Sequence, residues 1–315
     1  MDEKIEKHDI TLANFNCTFG EKDLPMLEHF DDIIYPAFTS GLIRPYKSNT
    51  SFFFLNVRIE DASNGDYVLV GNVVKETKLE VKSHYIEGKG IVNAYEVYPS
   101  SPYSIFAIFL KNHRMVFYRN QSGSPILSAF KGTADFLIKK YLLSVNKNKT
   151  YEDALPFANI KIVPIPSKVT ITDRMHNLAT IKSIKFNIFP LNNDIGISAA
   201  FDSLRDNVSA LESKKAQVYI PSPKSKENVA KLIGETQGTV EAVIEGKDYQ
   251  GNKITLKNDS FTEKLSVDIK ADNTYLDNTN IILSTAFNHP AIKTISEQNS
   301  FIYQSNIDII KQRKD

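Results

Sequence analysis

Phe52–Glu60 reads FFFLNVRIE, Asp61–Asp66 reads DASNGD, and Tyr67–Lys75 reads YVLVGNVVK. The two outer runs are aromatic and β-branched, which suits a pleated surface, and the six residues between them are turn formers. This is a hairpin, and it makes the first half of the chain a sheet built from neighbouring antiparallel strands. Leu79–Tyr85 continues as a further strand, and Ile91–Tyr98 as a fourth. Ser104–Phe109 and Met115–Arg119 bracket Lys111-Asn112-His113-Arg114, four polar residues between apolar runs, which is a second tight hairpin.

Working outward, Asp9–Thr18 alternates as a strand, and Leu24–Phe38 spaces Leu27, Phe30, Ile34 and Phe38 as a helix. Ser124-Pro125 is read as an N-cap and first position of a helix carrying Ile126, Phe130, Phe136, Leu137 and Leu143. Ile160–Ile165 closes this half as a strand. The order strand, helix, meander, helix, strand implies an antiparallel sheet with helices on one face.

Beyond a polar boundary at Ser167–Ile181, a smaller set of elements follows. Ile184–Phe189 and Gln217–Ile220 are strands, and Phe201–Leu211 and Asn228–Ile233 are helices. Val240–Ile244, Lys253–Leu256 and Lys264–Ile269 are expected to form a meander, with Tyr249-Gln250-Gly251-Asn252 in its first turn. The tail Tyr275–Asp315 is partly helical and broken at His289-Pro290, because the residue before proline is pushed out of the α region. The fold class is therefore α+β: a strand-rich antiparallel module over 1–166, a second, smaller α+β module over 182–270, and a helical tail over 271–315.

Composition removes several chemistries. The 315 residues hold 38 Lys+Arg against 37 Asp+Glu, so no global excess of positive charge marks a polyanion binder. One cysteine, Cys17, cannot build a disulfide framework, and six scattered histidines offer no zinc spacing. Cys17 sits between Phe15 and Phe19 and reads as core. No run approaches the 18–20 apolar residues, roughly, that a membrane helix needs. Met1–Lys7 is charged and lacks an apolar leader core, so a reducing cytoplasm is the expected address. Phosphate-loop, dinucleotide and serine-hydrolase motifs are missing; Ser122-Gly123-Ser124-Pro125 is only a loop leading into a helix.

Two constellations remain. At the second hairpin tip, Lys111 and Arg114 offer charged donors for a phosphate or carboxylate, Asn112 a further donor, and His113 a proton carrier. The competing reading is a polar turn in which Asn112 adopts the left-handed conformation. The second constellation is Asp66 at the start of one expected strand with Glu80-Val81-Lys82 on the next. Two carboxylates and a lysine approximate the acid/E-x-K arrangement with which nucleases hold Mg²⁺ and orient water. Alternation puts Glu80 and Lys82 on one strand face, as in any amphipathic strand. Lysines also cluster at Lys139-Lys140 with Lys147 and Lys149, at Lys214-Lys215, at Lys224, Lys226 and Lys231, and at Lys311, Arg313 and Lys314. If they share a face with nearby tyrosines they make a phosphate-tracking groove.

The run Gly65–Gly71, then 102–117 with Asn112-His113-Arg114, then Gly123-Ser124-Pro125, resembles the layout of uncharacterised bacterial proteins of mobile-element and phage-defence loci. The resemblance covers mainly residues 50–165 and rests on pattern, not on a catalytic signature. It implies an antiviral-defence component that binds nucleic acid or a partner protein of the same system, with Lys111, Asn112, His113 and Arg114 as contacts. Two alternatives stand beside it: a Mg²⁺-dependent nuclease using Asp66, Glu80 and Lys82, and a structural or assembly protein, such as a homo-oligomer. Outside the nuclease alternative no cofactor is expected.

Overall fold

A computed structural model describes residues 5–47, 49–62, 65–192, 199–270 and 272–314. Ser63 and Asn64 of the expected turn, and Met1–Lys4 of the charged beginning, lie outside them. In chain order the strands are β1 (Ile5–Phe19), β2 (Leu24–Pro25), β3 (Arg44–Tyr46), β4 (Thr50–Asp61), β5 (Tyr67–Ile86), β6 (Gly90–Ser100), β7 (Tyr103–Phe109), β8 (Arg114–Arg119), β9 (Ala158–Pro164), β10 (Leu178–Ile188), β11 (Ala216–Pro221), β12 (Glu241–Asp248), β13 (Lys253–Lys257) and β14 (Lys264–Lys270). The α-helices are α1 (Tyr35–Thr39), α2 (Leu127–Val145), α3 (Lys168–His176), α4 (Ala199–Ala210), α5 (Lys226–Gly234), α6 (Tyr275–Phe287), α7 (Pro290–Lys293) and α8 (Glu297–Lys314). The fold is α+β, with a large antiparallel sheet and a smaller one.

The large sheet runs β14-β1-β8-β7-β5-β4-β3, with β9 beside the C-terminal half of β1 and β6 beside the far end of β5. Alternation along its central strands divides two cores. Phe15, Leu69, Phe106 and Phe117 face α1, α2 and α8, where Phe54, Phe106 and Phe130 pack ring against ring with centroids 4.8–5.3 Å apart. Leu12, Val70, Ile105 and Val116 face α6 and α7. Helices thus cover both faces of the large sheet, where the sequence order had implied one. The second layer comes from the C-terminal segment, which folds back across the sheet. Strands buried on both sides read as continuous apolar runs, and YVLV and SIFAIF are of that kind.

Three further differences concern single elements. The chain over 26–39 is helical with Leu27, Phe30, Ile34 and Phe38 buried, but it passes from a 3₁₀ turn through a π turn into α1. Ser124 is buried and its Oγ accepts from the Gln121 amide at 3.1 Å, so α2 starts at Leu127 without a side-chain cap. The expected meander loses its third member. β12 and β13 pair as a hairpin, but β14 leaves them and pairs with β1 from Ile5↔Lys270 to Thr11↔Lys264.

The small sheet has the order β11-β10-β12-β13, all antiparallel. Ile184, Phe186, Ile244 and Val240 lie in a core with Ile171 of α3, Phe201 of α4 and Ile233 of α5. The boundary segment 167–181 therefore contains a helix, α3, that covers the small sheet. The break at His289-Pro290 falls where expected: α6 ends at Phe287, and His289 Nδ1 accepts from the Ala291 amide to open α7. Among the described residues no helix is long and apolar enough to cross a membrane.

Candidate functional site

The β7–β8 hairpin tip is drawn into the body of the protein. Asn112, His113 and Arg114 are 5%, 1% and 2% exposed, which leaves no face for a phosphate. The left-handed residue is His113, at φ +57°, and not Asn112. Asn112 instead donates through Nδ2 to the carbonyls of Ile292 and Thr294, and its Oδ1 accepts from the Arg114 amide. Arg114 donates through Nη1 to the Gln237 carbonyl at 2.7 Å, in the loop between α5 and β12. Lys111 pairs with Asp66 at 2.9 Å and lies over the Tyr303 ring of α8. Three donors at one tip, Lys111, Asn112 and Arg114, thus join the large sheet, the C-terminal segment and the small sheet.

Asp66, Glu80 and Lys82 do not converge. The expected two strands are one: β5 runs unbroken for 20 residues, and Glu80 and Lys82 lie well along the strand that Asp66 precedes. At about 3.3 Å per residue, Asp66 and Glu80 are on the order of 40 Å apart along the chain, whereas ligands of one Mg²⁺ all lie roughly 2 Å from the ion. Asp66 is engaged by Lys111, and Glu80 stands opposite Val97 on the far half of the strand. Among the described residues no group of three or more His, Cys, Asp and Glu side chains is placed to hold a metal ion. Cys17 is fully buried, and that burial pushes its thiol well above the ordinary range.

Three of the lysine clusters each contain at least one ion pair. Lys139 meets Asp135 at 2.7 Å and Lys214 meets Asp23 at 2.6 Å, while Arg313 and Lys314 of α8 meet Asp31 and Asp61. Lys224 and Lys226 are different. They belong to an open cavity of about 950 Å³ at one end of the small sheet, whose wall also includes Lys182, Lys247 and Lys253. Three elements bring the five together. β10 carries irregular pairing between Leu178 and Thr180 and between Ile181 and Ser183, which turns Lys182 out to solvent. The loop from β11 to α5 supplies Lys224, and Lys226 opens α5. The β12–β13 hairpin places Lys247 directly opposite Lys253.

The charge balance in this cavity is lopsided. Its one carboxylate, Glu245, is committed to Lys185 at 3.4 Å and accepts from Ser183 Oγ. Lys226 donates to the Leu178 carbonyl and lies 5.5 Å from the Tyr249 ring centroid. Lys182, Lys224, Lys247 and Lys253 are exposed and have no ion-pair partner among the described residues. Like charges directly opposite in a sheet repel, so the Lys247–Lys253 pair is a local cost that an anion between them would relieve. Tyr249 at the hairpin turn exposes its ring beside Lys226, and Tyr219 exposes a ring opposite Lys185. The arrangement is chemically suited to a bound polyanion and offers flat surfaces for stacking.

Sequence reading singled out Lys224 and Lys226 but missed Lys182, Lys247 and Lys253. The hairpin offered a partial signal for two of these: the turn read as Tyr249-Gln250-Gly251-Asn252 sets Asp248 opposite Lys253, and the observed register, one residue tighter, sets Lys247 there instead. Lys182 reaches the site through a strand irregularity that no spacing announces. Compared with known proteins, the chain matches no family model, and no curated protein resembles it in sequence at a significant level.

Proposed function

We propose that the protein is a nucleic-acid-binding component of a bacterial antiviral-defence system, and that it holds the phosphate backbone in the lysine-lined cavity of the small sheet. The observation that carries this reading is the apposition of Lys247 and Lys253 beside Lys182 and Lys224, in a cavity whose single carboxylate is already paired. Tyr249, whose exposed ring lies beside Lys226, supports a nucleic acid over a simple anion, because an exposed ring flanking a basic groove can stack on a base. The resemblance of residues 50–165 to phage-defence proteins supports the setting. Contacts at Lys111–Arg114 are not part of this proposal, since burial removes three of the four from solvent.

Fluorescence anisotropy with labelled single-stranded DNA, single-stranded RNA and duplex DNA over a salt series tests it. Lys247→Glu with Lys253→Glu is expected to weaken binding at least about tenfold and to flatten the salt slope by about one for each lysine. Unchanged affinity and slope in the double variant would refute the assignment.

A further inference from the structure

The small sheet carries its helices on one face only. Ile184, Phe186, Ala242 and Ile244 of its central strands share a core with α3, α4 and α5. Alternation turns the neighbouring positions to the other face, where Tyr219 on β11, Lys185 on β10, Val243 and Glu245 on β12, and Thr255 and Lys257 on β13 are all partly or fully exposed. Register aligns four of them: Tyr219, Lys185, Val243 and Lys257 stand side by side across the sheet, about 14 Å from edge to edge at ordinary strand spacing.

This face continues the lysine-lined cavity, because Glu245, Lys247, Lys253 and Thr255 belong to both. β13 is an edge strand, and its alternate residues Lys253, Thr255 and Lys257 make a row of donors about 13 Å long that starts in the cavity and runs away from it. Lys257 is exposed and, like Lys253, has no ion-pair partner among the described residues. Both carboxylates of the face are engaged, Glu245 by Lys185 at 3.4 Å and Glu241 by Lys161 at 3.3 Å. Beyond Lys257 the exposed Asp259 ends the basic row. At the opposite edge the Tyr219 ring is 52% exposed, and Val243 lies between it and Lys257. A duplex keeps its bases stacked inside and offers such a surface phosphates alone, whereas a single strand also offers base faces to an aromatic ring.

We propose that a single-stranded nucleic acid leaves the cavity across this open face, its phosphates following Lys253, Thr255 and Lys257 and its bases turned inward over Val243, one of them stacked on Tyr219. The path rests on the cavity holding phosphate, as proposed above, and adds to it a strand state, a direction and two contacts outside it. Neither Tyr219 nor Lys257 lines the cavity. Lysines on an edge strand also deter pairing with another chain, but that role alone would leave binding untouched when one is replaced.

The test is fluorescence anisotropy of the full chain with a labelled oligothymidylate of about 15 nucleotides, near the upper end of what one single-strand-binding module covers, and with the same strand annealed to its complement. The single strand is expected to bind at least about tenfold tighter than the duplex at matched salt. Lys257→Glu is expected to weaken single-strand binding at least about fivefold and to flatten the salt slope by about one. Tyr219→Ala is expected to weaken it at least about fivefold at unchanged slope, while Tyr219→Phe, which keeps the ring, binds like wild type. Either Lys257→Glu or Tyr219→Ala binding like wild type, while Lys247→Glu with Lys253→Glu loses affinity, overturns the path and leaves the cavity as the phosphate site. A duplex bound as tightly as the single strand does the same. Absence of wild-type binding to both probes, or wild-type binding by the cavity double variant, overturns the cavity reading and the path with it.

Discussion

Asn112 occupies a turn, yet it works as a junction. Its amide nitrogen serves two carbonyls some 180 positions further along the chain, at Ile292 and Thr294, while its oxygen holds the Arg114 amide. Asn112→Ala would leave buried carbonyls without a donor, and each such group costs about 1–3 kcal/mol. The expected loss is about 2–4 kcal/mol, read as a lower urea midpoint at unchanged slope; a loss below about 0.5 kcal/mol, the range of ordinary surface changes, would disprove the junction role. The hairpin tip itself was legible, because apolar runs on either side of Lys111-Asn112-His113-Arg114 leave little alternative to a turn. What was not legible is the direction in which it points. A polar tip is solvated or buried according to what packs on it, and here the packing groups come from the other end of the chain.

Among the elements, the irregular β10 strand shapes the cavity, and Gly246 on β12 permits it. A Cβ at Gly246 would lie 2.5 Å from the Thr180 carbonyl, which is backbone and cannot swing aside. Gly246→Ala is expected to cost about 1–3 kcal/mol by overcrowding and to weaken oligonucleotide binding although it removes no charge. A variant that keeps wild-type stability and affinity would show that this close approach does not position the lysines. The existence of the β12–β13 hairpin was readable from turn chemistry, but its register, which sets Lys247 opposite Lys253, was not. Nor was the continuity of β5. Its charged, exposed half follows a fully buried half, and a change of pattern within one strand looks the same in sequence as the start of another.

Across the whole molecule, burial of the second face of the large sheet depends on the C-terminal segment. Ile282 of α6 is 1% exposed against that face. Ile282→Ala is therefore expected to destabilise the protein by about 2–5 kcal/mol, as for other buried large-to-small changes, measured by chemical denaturation. A cost under about 1 kcal/mol, the transfer worth of roughly one methylene, would mean that the layer is loosely docked. By itself the sequence determined the α+β class, most strands and helices, the break at His289-Pro290 and the core role of Cys17, because these follow from local periodicity, turn chemistry and composition. Tertiary structure alone decided that helices cover both faces of the large sheet, that β14 joins β1, that Asp66 and Glu80 stand far apart, and that five lysines from three elements share one cavity. Each of these depends on contacts between residues distant in the chain, and local pattern states which face of an element is apolar without stating what will cover it.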